Sequence, residues 1–183
     1  MLDTYKFIEK YKRISIIGME KNVGKTTLLN KLIADIGTNK KLGLTSIGRD
    51  GEDIDVVTNT DKPRIYVRRG SIIATGRNCL AKCDITKEIL YVTDFTTPMG
   101  SIVIVRALSD GYVDIAGPSY NKQVKIVVEL MEKFGSEISI VDGALGRKST
   151  AISDVSEATI LSTGAALSLD MLKVVEETKK TVY

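Results

Sequence analysis

Apolar residues recur along this chain with two periods, and the switching between them outlines the fold. Leu2, Tyr5, Ile8 and Tyr11 are spaced by three, the interval of one helix face, so a short helix is expected over residues 2–11. Behind Arg13, the compact run Ile14-Ser15-Ile16-Ile17 reads as a first strand. From Lys25 to Ile36 the apolar positions return to helical spacing, and Gly37 stands where a left-handed C-cap would end that helix. Leu42 to Ile47 is a second strand, and the polar, acidic stretch from Gly51 to Pro63 reads as a long loop.

Between 64 and 107 this rhythm breaks. Ile65-Tyr66-Val67 and Ser71-Ile72-Ile73-Ala74 flank Arg68-Arg69-Gly70, a hairpin signal, and Glu88–Phe95 and Ser101–Ala107 flank a second turn at residues 96–100. We expect a β-rich insertion or sheet extension here. Alternation resumes with a strand over Tyr112–Ala116, a helix over Asn121–Phe134 closed by Gly135, the strands Ile138–Asp142 and Ala158–Leu161, and a last helix from about Leu169 to Lys180. At 183 residues the chain suits one α/β domain, a doubly wound, mainly parallel sheet with helices on both faces.

Chemistry concentrates after the first strand. Gly18 and Gly24 bracket five residues, Met19-Glu20-Lys21-Asn22-Val23, and Lys25-Thr26-Thr27 then open the helix. Strand, glycine-bounded loop, Lys-Thr and helix together cradle a nucleoside triphosphate, because backbone N–H groups and the positive helix end gather around phosphate. In that arrangement Gly18, Glu20, Lys21, Asn22, Val23, Gly24 and Thr27 line the phosphates, Lys25 reaches the β/γ oxygens, and the Thr26 hydroxyl ligates Mg²⁺. Gly24 is expected where a side chain would collide with phosphate.

Composition narrows what this loop can serve. There is no histidine, which removes Ser-His triads, imidazole acid/base chemistry and axial histidine ligation. Net charge is only +3, with basic and acidic residues interleaved, so no basic stripe argues for nucleic acid. No apolar run approaches the ~18 residues of a membrane span. A soluble, cytoplasmic protein is expected. Cys79 and Cys83, four apart, would share a helix face; they could supply half of a zinc site shared between subunits, but two reduced thiols fit the lack of other ligands better.

Mg²⁺-assisted phosphoryl chemistry needs a carboxylate at a strand end beside the loop. Three apolar runs offer one. Asp142 closes Ile138-Ser139-Ile140-Val141 and precedes Gly143, whose backbone could approach a γ-phosphate; Asp94 sits in the β-rich insertion and Asp114 inside its own strand. Position favours Asp142 as catalytic and metal-binding residue. Asp50, after the second strand, is the expected second carboxylate, with Glu52, Asp53 and Asp55 as substitutes or as an ordinary solvated acidic loop. Arg147 and Lys148 could meet phosphate or simply face solvent, and Gly117-Pro118-Ser119 is either a helix cap or part of the ligand edge. No Asn-Lys-x-Asp guanine motif appears, which favours ATP over GTP; Mg²⁺ with ATP or GTP is the expected cofactor set.

The five-residue loop resembles that of dethiobiotin synthetase, Gly-x5-Gly-Lys-Thr, and the wider signal-recognition, MinD and BioD-like class of P-loop proteins. Asp142-Gly143-Ala144-Leu145-Gly146 is similar to the Glu-Gly-Ala-Gly-Gly segment of that synthetase, with aspartate replacing glutamate. MinD proteins carry a signature lysine four residues before the final loop glycine; here that position is Glu20, with Lys21 one place later. Lys21 therefore does not simply inherit the role of bridging a partner's phosphates. Together with residues 140–149 and 158–165, the loop also resembles P-loop proteins associated with adenosylcobalamin-dependent lysine and ornithine aminomutases. That resemblance implies a triphosphatase whose turnover gates or remodels a partner enzyme, with the cobalamin ligands supplied by that partner; a homodimer is expected. The synthetase resemblance implies instead an ATP-dependent ligase or kinase acting on a small acid. Partner remodelling is the preferred expectation, because the ligase's substrate residues do not line up here.

Overall fold

The computed structural model describes residues 6, 8–48, 64–143 and 154–182. Its elements in chain order are β1 (Arg13–Gly18), α1 (Lys25–Ile36), β2 (Leu42–Ser46), β3 (Ile65–Val67), β4 (Ile72–Gly76), a 3-10 turn (Arg77–Lys82), β5 (Lys87–Thr97), β6 (Gly100–Ala107), β7 (Gly111–Val113), α2 (Asn121–Lys133), β8 (Ile138–Asp142), β9 (Ala158–Ser162) and α3 (Met171–Val182). Seven strands form one sheet in the order β5-β6-β4-β2-β8-β1-β9. Its β9, β1, β8, β2 and β4 run parallel, while β6 and β5 add an antiparallel edge.

Side-chain alternation divides the core between the two faces. On one face Ile14, Ile16, Leu42, Leu44, Ile73, Val103, Val105 and Ile140 meet Leu29, Leu32, Ile33 and Ile36 of α1. The opposite face sets Ile72, Ala74, Ile102, Ile104 and Val141 against Val124, Val127, Val128 and Met131 of α2. Each such fully buried side chain contributes about 2 kcal/mol by area, an upper value, so the apolar stripe of each helix holds it to the sheet more firmly than its helix propensity. The expectation of a mainly parallel α/β sheet with helices on both faces agrees with this architecture.

Three expectations are corrected. β3 and β4 do not form a hairpin: β3 pairs antiparallel with β7 in a separate two-stranded sheet, and β4 enters the main sheet between β2 and β6. Every residue of β4 is buried, which requires a neighbour on each side and a helix layer above and below; a short hairpin supplies neither. Tyr112–Ala116 is likewise no strand of the main sheet. Only Gly111–Val113 is paired, and Ile115 to Pro118 continues as buried loop. At the end of α1, Gly37 is right-handed (φ −65°) and its N–H still bonds Ile33 O at 2.9 Å, whereas Gly135 after α2 takes the left-handed turn (φ +105°). The β5–β6 hairpin forms as expected, with Thr97 opposite Gly100 across Pro98-Met99. Of the expected first helix, Lys6 and Ile8 are helical, Glu9 and Lys10 form a turn instead, and residues 2–5 and 7 lie outside the described residues.

Candidate functional site

The carboxyl ends of β1, β8, β2 and β9 lie side by side, and the glycine-bounded loop springs from the middle of that row. Backbone bonds tie the row together. Met19 N–H donates to Ser162 O (3.0 Å), Gly143 N–H to Ile16 O (2.7 Å) and Ile47 N–H to Asp142 O (2.9 Å). Ile16 is in register with Asp142, so the first residue after β8 sits directly beside the root of the loop.

Within the loop, the two bracketing glycines are required for different reasons. A Cβ on Gly18 would stand 2.7 Å from Lys25 Nζ and 2.8 Å from Val23 Cγ2, so this glycine makes room for the lysine stem folded across it. Around Gly24 there is open space, and its need is conformational: φ is +87°, a left-handed value that residues with a Cβ rarely adopt. Asn22 is also left-handed (φ +60°), a conformation asparagine tolerates better than most residues. α1 then starts with Leu28 N–H donating to Gly24 O at 2.9 Å, and no side chain caps its first turn. The leading N–H groups of Lys25, Thr26 and Thr27 precede that first helical bond and stand at the positive end of the helix dipole.

Lys25 is half-buried. Its ammonium donates to Glu20 O at 3.2 Å, and burial lowers its pKa, opposed by the carboxylates of Asp142 and Glu20. Asp142 therefore acts electrostatically on the loop lysine, and its Oδ1 is buried. Glu20 and Lys21 are exposed, and the Glu20 carboxylate accepts the Lys21 N–H at 2.9 Å. Gly18, Glu20, Lys21, Asn22, Val23, Gly24, Lys25, Thr26, Thr27, Asp142 and Gly143 thus gather at one end of the parallel strands. Of the rival carboxylates, Asp94 stands apart. It lies on β5, five strand positions from β1, or about 24 Å at the usual strand spacing. Asp114 is nearer, its carbonyl accepting from Thr75 Oγ1 at the end of β4 and the next carbonyl, Ile115 O, from Ser46 Oγ at the end of β2. Asp50, Glu52, Asp53, Asp55, Arg147 and Lys148 lie outside the described residues.

Neighbouring expectations resolve differently. Gly117-Pro118 does not cap α2 but packs against the end of β2. Gly117 N–H donates to Ser46 Oγ (2.9 Å), and a Cβ on Gly117 would lie 1.8 Å from Ser46 O. Tyr120 occupies the N-cap of α2. What the sequence reading missed is the support under the loop from Ser162 and the closure of β2 by residue 117; the Gly-Pro-Ser run was the only local signal of the second, and the first is a main-chain contact without any. Cys79 and Cys83 are both buried thiols; Cys83 Sγ donates to Cys79 O at 3.3 Å, and burial pushes its pKa up. That position inside one chain does not suit a zinc shared between subunits.

Among the described residues no group of three or more carboxylates and thiols could hold a metal by itself. Mg²⁺ does not demand one, since it retains waters and takes one or two protein oxygens plus phosphate. Thr26, in the first turn of α1, and Asp142, at the end of the adjacent β8, supply a hydroxyl and a carboxylate of the kind that requirement calls for. Among the described residues no helix is long and apolar enough to cross a membrane. No protein-family model, curated protein or solved structure matches this chain.

Proposed function

We propose that the protein is a Mg²⁺-dependent P-loop nucleoside triphosphatase whose turnover gates or remodels a protein partner. The observation that carries this reading is the convergence of Lys25, the left-handed Gly24 and Asp142 where parallel β1 and β8 end. Lys25 would leave the Glu20 carbonyl for the β/γ oxygens, and Thr26 and Asp142 would hold Mg²⁺, which stabilises charge developing on the transferring phosphoryl group. With no histidine in the chain and an exposed Glu20 facing its own loop, the attacking water has no strong base among the described residues. Slow intrinsic hydrolysis, accelerated by the partner, follows. The resemblance to aminomutase-associated P-loop proteins supports a cobalamin-dependent enzyme as that partner.

The test combines melting with turnover. Mg²⁺ with ATP or GTP at a hundred times its dissociation constant should stabilise the chain by about 2.7 kcal/mol through mass action. Asp142→Asn should lower hydrolysis by about 10²-fold while binding falls much less. Unchanged melting with both nucleotides would end the triphosphatase reading. Rapid phosphorylation of a small acid by the isolated chain would replace partner remodelling with ligase or kinase activity.

A further inference from the structure

The far edge of the sheet carries features that nucleotide chemistry does not use. β5 is the terminal strand and spans 11 residues, yet its centre is apolar and open: Ile89 is 63%, Val92 54% and Tyr91 46% exposed. A long exposed apolar edge is the part of a sheet most prone to pair with another strand. This strand is also complementary to itself. Turned end for end about the Leu90–Tyr91 midpoint, it sets Lys87 against Asp94, Glu88 against Thr93, Ile89 against Val92 and Leu90 against Tyr91.

A regular strand would forbid that register. Residues an odd number apart point to opposite faces, whereas a two-fold axis perpendicular to the sheet keeps each face on its own side. Bulges commonly blunt an edge, but the one at Leu90 has the reverse effect here. Pairing with β6 steps from Ile89↔Val105 to Tyr91↔Ile104 and then Val92↔Val103, and a second shift before Thr96↔Ser101 sets Thr93–Phe95 opposite one residue. Phe95 packs against the core under α2, so alternation beyond Val92 keeps Asp94 on the face of Val92. Val105 and Val103 both belong to the core under α1, so Ile89 and Val92 share that face. Ile104 belongs to the core under α2, against which Leu90 also packs, so Leu90 and Tyr91 share the other face. The extra residue restores the phase that the paired register needs.

We propose that β5 is the interface between two copies of this chain, running antiparallel about the Leu90–Tyr91 midpoint, with an apolar centre flanked by two Lys87–Asp94 pairs. The two loops that follow β1 then stand at opposite ends of a continuous sheet, about 50 Å apart at the usual strand spacing. Neither Lys21 nor Glu20 reaches the other copy's loop, so association is independent of nucleotide.

Sedimentation equilibrium across a concentration series, with and without Mg²⁺–ATP, tests this. Wild type should dimerise equally in both conditions. Val92→Lys should weaken the dimer about tenfold or more with little change in melting, because the side chain is largely exposed already. Lys87→Asp should weaken it about tenfold, and Lys87→Asp with Asp94→Lys should recover most of that loss. A wild-type monomer at every concentration, dimerisation only with nucleotide, or a charge swap no better than the single substitution would each overturn the proposal. Since none of these readouts requires hydrolysis, the outcome is separate from that of the triphosphatase reading.

Discussion

At Lys25 burial works against the charge that the loop holds. Burial is the largest influence on its ammonium and lowers the pKa relative to the unfolded chain; Asp142 and Glu20 offset this only in part. The protonated form therefore lowers stability at every pH below the folded pKa, and the penalty fades as pH rises through it. Lys25→Met keeps the stem across Gly18 and removes the charge, so the variant should melt about 1–3 °C higher while losing any nucleotide-induced shift. A lower melting temperature by calorimetry would mean that the bond to the Glu20 carbonyl outweighs burial. Legible at this scale was the loop itself: the glycine before Lys25-Thr26 takes the left-handed turn that opens α1. Gly117 was not legible in the same way, because the atom its missing side chain spares, Ser46 O, is 71 positions away in sequence.

Individual elements are joined by charged contacts whose pH dependence follows from geometry. Glu137, in the turn between α2 and β8, accepts the Lys41 N–H at 2.9 Å and pairs with Lys40 at 3.1 Å, tying that turn to the start of β2. The bond from the Lys41 N–H is the main cause of its lowered pKa, followed by Lys40. A carboxyl with a depressed folded pKa adds stability above its unfolded pKa and loses it as pH falls through the folded one. Glu137→Gln should then cost no more than about 1 kcal/mol near neutral pH, since the side chain is exposed, and the difference from wild type should close in acid. Denaturant unfolding at stepped pH checks this; a gap that persists below the carboxylate range would assign the effect to packing. The same scale shows what local pattern misses. Turn residues at 68–70 correctly marked a change of direction, but not which strand would receive β4.

For the whole molecule, stability should decrease outward from the strands that carry the site. β1, β2 and β8 are flanked on both sides, whereas none of the residues of α3 is buried, and it meets the body through the Thr163–Thr178 hydroxyl pair (2.9 Å). Hydrogen exchange should find the amides of β1, β2 and β8 protected near the global limit and those of α3 exchanging well before them. Equal protection would show that α3 is covered in solution. The sequence by itself determined the elements that local physics controls: helix and strand periods, the glycine-bounded loop at the end of β1, the β5–β6 turn, and the exclusion of histidine chemistry. Tertiary structure alone decided which strands became neighbours, and therefore that Asp142 stands beside Lys25 while Asp94 lies across the sheet. The reason is that strand order is set by two-sided burial among segments far apart in the chain, a requirement that no local period records.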